Sequence, residues 1–384
     1  GAIYIDGTNV KIEDSSAAFS AAVNGSAIYV AGNYVVICHF NSSFANATMD
    51  GGSIFIEGDG VEINNTNFKF ASSVYGGAIY VAGDGANINN ATFTSCSATV
   101  DQGGYGGAIY VAGDDTKIID SQFFQFSASD KGGAIFVAGE DLEIEGCRFQ
   151  YGSAVDGGAI YIEGSNTLVY RSNFLNIGAT SHESINYTTS GGAIYVAGND
   201  TQIIKNYFTQ TNAGDGGAIY VAGKGTEILG DKFIEVKAGN GAAVYVNGSD
   251  TIIDGSLFNR SLATYDGGAI YLAGVNTTIL NSTFEYNNAT RGGTIYIAGN
   301  DASITDITFL YFHANDKGGA IFVAGENLEI DNCRFQYGSA TDGGAIYIEG
   351  SNTTVSHSNF LNLGAVDSNL NYTTSGGAIY VAGN

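Results

Sequence analysis

Residues 267–290 read GGAIYLAGVNTTILNSTFEYNNAT, and this stretch decides the fold. Counted from Ile270, an aliphatic residue stands at +2 (Leu272), glycine at +4 (Gly274), isoleucine at +9 (Ile279) and phenylalanine at +14 (Phe284). Apolar and polar positions alternate within short segments that Gly, Asn and Ser separate, which is the pattern of three strands and three turns. No segment is long enough for a helix.

The same register recurs fifteen times, from Ile3 to Ile379, and eleven of the fourteen spacings are 25 or 26 residues. From Ile321 it reads Val323, Gly325, Ile330 and Phe335. The phenylalanine fails only in the first two coils, where Phe19 and Phe40 stand near the position but out of register. Stacking equivalent residues coil on coil predicts an all-β, right-handed parallel β-helix of three strands per coil and about 14–15 coils. A leucine-rich-repeat horseshoe has an overlapping period, but its L-x-x-L-x-L-x-x-N string is absent and the glycine density disfavours a helix in each repeat. The glycine at +4, followed in most coils by Asn, Asp, Ser or Gly, is expected to serve turn geometry.

Composition agrees. Of 384 residues 56 are glycine and none is proline or tryptophan, as a hydrogen-bond ladder without interruptions requires. The net charge of −24 argues against nucleic acid or an anionic membrane as partner. No apolar run approaches the roughly 18 residues of a membrane span. Cys38, Cys96, Cys147 and Cys333 lack close spacing and are expected to be small buried thiols rather than metal ligands.

A longer period overlies the short one. Residues 131–199 and 317–384 match at 55 of 68 aligned positions, an offset of seven coils. One continuous β-helix over 1–384, a section of a longer array, is the expected organisation. The two copies carry excursions at 179–190 and 366–375, which are either binding loops or tolerated surface insertions.

Catalytic signals are sparse. His39, His182, His313 and His357 are scattered, and carboxylates are so plentiful that a glycosidase or lyase pair stands out nowhere. No enzyme is therefore expected, with no catalytic, cofactor-binding or metal residues. A specific case would need a local cluster that breaks the repeat, with basic or aromatic groups converging on it. Acidic turns such as Asp114 with Asp115, Glu140 with Asp141 and Asn199 with Asp200 offer oxygen ligands for Ca²⁺, the alternative being a solvated acidic face. Fourteen N-x-[ST] sequons make Asn186, Asn281, Asn288 and Asn371 glycosylation candidates, though Asn in these repeats also serves turns.

The sharpest feature is an aromatic at +1 in every coil, including Tyr80, Tyr110, Tyr161, Tyr195, Tyr220, Tyr245, Tyr271 and Tyr296. Strand alternation turns it away from the lumen. It is expected to be either an interface for another copy or a glycan, or a self-stacking ladder that shields the backbone.

The series G-G-A-I-Y, then T-x-I, then N-x-T-F, as in residues 267–290, resembles the β-helix repeats of methanogen adhesin-like proteins. More distantly it resembles the polymorphic outer membrane proteins of chlamydiae, which pair GGAI with FxxN. That resemblance implies a surface-anchored archaeal-type glycoprotein concerned with adhesion or the envelope. The expectation is an extracellular, cell-surface structural rod, an adhesin-like stalk. Its alternatives are a self-assembling fibre or sheath subunit that associates end to end or laterally, and, more weakly, a polysaccharide-active enzyme.

Overall fold

A computed structural model describes residues 1–99, 103–178, 189–365 and 376–383. Among them are strands, turns and bends, and no helix. The chain divides into two compact units, Gly1–Gln202 and Ile203–Asn384. Each is a right-handed parallel β-solenoid, about 14 turns in all.

In the first unit the coils run through three sheets, with one strand of each coil on the first, one on the second and one or two on the third. The first sheet begins Ile3–Ile5, Ile28–Val30, Ile54–Ile56 and Ile79–Val81, with Ile3 opposite Ile28 and Ile28 opposite Ile54. The second runs through Lys11–Glu13 and Val36–Cys38, and the third through Asn67–Lys69 and Thr92–Thr94. The second unit repeats the plan, its first sheet running from Ile219–Val221 to Ile379–Val381. Register is fixed because a one-residue slip would turn every Ile and Val out of the lumen.

The interior is as the periodicity predicts. Ile270, Ile279 and Phe284 are each at most 1% exposed. The phenylalanines form face-to-face ladders, with Phe233, Phe258 and Phe284 separated by 4.7 and 4.5 Å. Phe40 is fully buried despite its different register, whereas Phe19 is 79% exposed.

Two details differ from expectation. The third sheet bends at a left-handed residue, so each coil turns four corners; from Ile270 they are Asn276 (φ 55°), Asn281 (φ 49°), Tyr286 (φ 57°) and Gly292 (φ 55°). Asn enters that region readily because its short side chain can hydrogen-bond locally, but Tyr does not. The glycine at +4 serves space rather than a left-handed turn. A Cβ on Gly299 would overlap the carbonyl of Gly274 one coil before, so only glycine lets these backbones stack.

Candidate functional site

The +1 aromatics point away from the lumen, yet they do not form an open stripe. Tyr161 and Tyr296 are buried, at 6% and 7% exposure, and Tyr80, Tyr110, Tyr195, Tyr220, Tyr245 and Tyr271 are half-buried. They stack on one another, as Tyr245 does on Tyr271 at 4.7 Å. What covers them is the residue four places before each Ile. Tyr75 packs edge-on to Tyr110, Tyr105 stacks on Phe136 at 5.0 Å, and the side chains of Lys131, Arg291 and Lys317 fold over the column. That cover leaves little of the Tyr161 and Tyr296 rings exposed.

Of the basic residues, Lys131 in the first unit and Arg291 and Lys317 in the second stand at this covering position. In the second, Arg291 clasps Asp266 with two bonds, Nε to Oδ1 at 2.8 Å and Nη2 to Oδ2 at 2.6 Å, and its guanidinium lies 5.0 Å from the centre of the Tyr296 ring. One coil later Lys317 sets its ammonium 4.6 Å from the centre of the Tyr347 ring and 3.2 Å from Glu349 Oε1. The Tyr347 hydroxyl, and then Glu349, raise the Lys317 pKa above its ordinary value against the cost of burial. Arg291 and Asp266 are 38% and 12% exposed at their side chains, so this pair is partly desolvated and worth more than a surface pair.

The first unit carries the equivalent set. Lys131 stands 4.5 Å from the centre of the Tyr161 ring. Burial works against its charge but is outweighed by its bond to Tyr161 and the field of Glu163, so its pKa rises. Burial raises that of Tyr161. Glutamate at +3 occurs only at Glu57, Glu163 and Glu349, where most coils have Ala. Cation, phenol and carboxylate thus converge where the repeat breaks, in a chain with only 14 basic residues. Such a set can neutralise an anionic group and give or take a proton. The signal was in the sequence, in Lys131, Arg291 and Lys317 just ahead of the glycine pairs, but it needed the register across coils.

A second aromatic feature was missed. Tyr286, Tyr311 and Tyr337 occupy left-handed corners, are 45–50% exposed, and stack at 4.8 and 5.0 Å. Phe19, Phe44 and Phe70 do the same in the first unit at 4.9 Å. The acidic turns form ladders of their own. The Glu140 N–H donates to Asp114 Oδ1 at 2.8 Å and the Asp114 N–H to Asp84 Oδ1 at 2.9 Å, which offsets the repulsion between stacked carboxylates.

The four cysteines are buried and unpaired. Burial pushes the thiols of Cys96 and Cys147 up to about 12. Cys38 differs in its neighbours: Glu13, Cys38 and His39 have donor atoms all within 4.8 Å of one another.

Of the sequon candidates, Asn281 is exposed and donates to Asp254 Oδ1 at 2.9 Å, while Asn288 is half-buried in the strand Asn288–Arg291. Asn186, Asn371, His182 and most of the two excursions (179–188 and 366–375) lie outside the described residues. Among the described residues no helix is long and apolar enough to cross a membrane.

The sequence matches the profile of the right-handed beta helix region over residues 76–258 and 217–384. No curated protein matches it in sequence. Among the solved structures that share the fold are three with TM-scores above 0.5. An alginate lyase, AlyF-OU02, in complex with G6 is 13% identical, with a TM-score of 0.59 over 97% of this chain and 87% of its own. PfbA, a surface adhesin of Streptococcus pneumoniae, is 12% identical, with a TM-score of 0.54 over 82% of this chain and 87% of its own. A mannuronic acid specific polysaccharide family 6 lyase from human gut microbiota is 13% identical, with a TM-score of 0.51 over 89% of this chain and 82% of its own. Identity this low shows the fold alone. The expectation that the chain is no enzyme is nevertheless corrected: two of these three structures, on the same β-helix fold, are lyases, so the sparse catalytic signals in the sequence do not set this fold apart from catalysis.

Proposed function

Because the chain belongs to the right-handed beta helix region family, we propose that it is a cell-surface repeat scaffold of the adhesin kind that holds acidic polysaccharide against the outer face of its first sheet. The observation that carries this reading is the convergence of Arg291, Lys317, Tyr347 and Glu349 at the place where the repeat is broken. In a chain of net charge −24, Arg291 and Lys317 give an anionic polymer two cations on this face. The charged groups give a sugar polar contacts, while the ring of Tyr347 beneath them, 5% exposed, holds the Lys317 ammonium in place. The likeness to an adhesin supports the surface setting, as does the resemblance to methanogen adhesin-like repeats.

A second reading, a polysaccharide lyase, is favoured by the same Lys317. An ammonium beside a phenol and a carboxylate supplies a cation for a sugar carboxylate and groups that exchange protons.

One experiment separates the two readings. The protein is titrated with a polyuronate and with a neutral glucan while the ultraviolet absorbance of unsaturated sugar is followed. Preferential polyuronate binding without product supports the scaffold, and product supports the lyase. Lys317→Gln, which keeps a polar side chain, one atom shorter, without the charge, is expected to weaken polyuronate binding about tenfold, the equivalent of roughly 1.4 kcal/mol. Equal affinity for both polymers, or none for either, overturns the proposal.

A further inference from the structure

We propose that Glu13, Cys38 and His39, oriented by Asp14, form a site for a borderline-soft divalent cation, with Zn²⁺ the ion this donor set selects. The site is built by register. The strands Lys11–Glu13 and Val36–Cys38 pair in parallel with Glu13 opposite Cys38. Both are third residues whose alternation turns them away from the lumen, where Ile12 and Ile37 point. The next residues, Asp14 and His39, sit at left-handed corners with φ 51° and 52°. Two consecutive coils therefore bring four donors of three chemistries to one edge.

Their chemistry is selective. Thiolate, imidazole and carboxylate together suit Zn²⁺, whereas Ca²⁺ and Mg²⁺ take oxygen ligands. The donor atoms of Glu13, Cys38 and His39 lie within 4.8 Å of one another. Glu13 and His39 are exposed and free to rotate inward to the roughly 2.0–2.3 Å of metal bonds. Cys38 is 7% exposed, and its Sγ interacts with the Ile12 carbonyl at 3.7 Å and with the Glu13 carboxylate.

The outer carboxylate has a part as well. His39 Nδ1 stands 3.5 Å from Asp14 Oδ1, and when Nε2 takes the ion that carboxylate is placed to receive the other N–H, as carboxylates characteristically do for ligating histidines. Lys11 now pairs with Glu13 at 2.8 Å, and the cation replaces that ammonium. As the metal–sulfur bond forms, the thiol proton passes to water. The bound ion ties one coil to the next across the second sheet. Cys96, Cys147 and Cys333, all in the core at 0–2% exposure, have no such neighbours among the described residues.

The test is a titration of the whole chain with Co²⁺, whose visible spectrum reports thiolate ligation, followed by competition with Zn²⁺. The wild type is expected to develop a sulfur-to-cobalt charge-transfer band that Zn²⁺ abolishes. Cys38→Ser removes the band with the metal otherwise retained weakly. His39→Ala, at an exposed corner that does not touch the core, keeps the band and loses affinity. Each variant is expected to bind about tenfold or more weakly, since losing even the hydrogen bond that supports a ligand costs about that much. A wild-type titration without the thiolate band, or variants that bind as the wild type does, overturns the proposal.

Discussion

Gly338 lies against Phe312 so closely that a Cβ placed on it would overlap the Cε2 of the ring. Phe312 is 2% exposed and stands edge-on between Phe309 and Phe335, at 6.4 Å from each, so it has nowhere to go. The pair recurs 186 residues earlier as Gly152 and Phe126, since 338 − 152 and 312 − 126 both give 186. Gly338→Ala is expected to cost about 1–3 kcal/mol in urea unfolding, the usual penalty of overpacking. Combining it with Phe312→Leu should recover part of that loss, because the shorter side chain vacates the space the methyl needs.

Asp231 is predicted to weaken the second unit at neutral pH. It is fully buried where other coils place serine, such as Ser256 and Ser282, whose hydroxyls donate to the carbonyls of Asp254 and Leu280. Its Oδ1 accepts from the Asn206 backbone N–H at 2.6 Å and from the Asn206 side-chain amide at 3.0 Å, while Oδ2 has no partner. Burial raises its pKa well above the ordinary range, and the Asn206 bonds only partly oppose this. The folded chain therefore holds the proton longer than the unfolded chain does. Stability falls as pH rises from about 3.9, where an unfolded aspartate titrates, up through the raised folded value. Asp231→Ser should flatten that slope and stabilise the protein at neutral pH by about 1–3 kcal/mol. Thermal unfolding across that pH range checks both.

Ile270, Ile279 and Phe284 show why the fold was legible and the site was not. Strand alternation fixes which side a residue faces, so the lumen follows from one coil read alone, and these three residues are indeed in it. The cover over the aromatic column depends on how far Lys131, Arg291 and Lys317 bend back over a neighbouring ring, and the Glu13 and Cys38 pairing on two coils read side by side. Gly338 and Phe312 lie 26 residues apart and touch through a ring angle that no spacing encodes. Position in a repeat gives facing; the contacts come from side-chain torsions.

The aromatic column should make the fold sensitive to alkali. Burial first, and then the neighbouring Tyr80 and Glu163, push the Tyr110 hydroxyl up to about 12, and burial raises Tyr245 as well. Both hold their protons in the folded chain at a pH where an unfolded tyrosine, with a pKa of about 10, has begun to lose its own. Stability contributed by the neutral phenols is thus complete below about pH 10 and is lost as pH climbs toward the folded values. Phenolate absorbance should lag behind that of the urea-unfolded chain, and Tyr110→Phe should reduce the alkaline fall in melting temperature.

The inner and outer aromatic ladders have similar stacking distances and should respond very differently to replacement. Phe258 is fully buried between Phe233 and Phe284, so Phe258→Ala opens a cavity that the stacked coils cannot close and should cost about 3–5 kcal/mol. Tyr311 stacks on Tyr286 and Tyr337 at 4.8 and 5.0 Å but is 46% exposed, and it holds a left-handed φ of 53°. Replacing it with Asn forfeits about 0.5–1.5 kcal/mol of stacking per ring pair. The same replacement relieves a backbone conformation that Asn tolerates and Tyr does not. The two effects offset each other, so Tyr311→Asn should leave the urea midpoint within about 1 kcal/mol of the wild type. If Tyr311→Asn proved as costly as Phe258→Ala, the outer ladder would have to be counted as part of the core rather than as a surface that the fold can spare for a ligand.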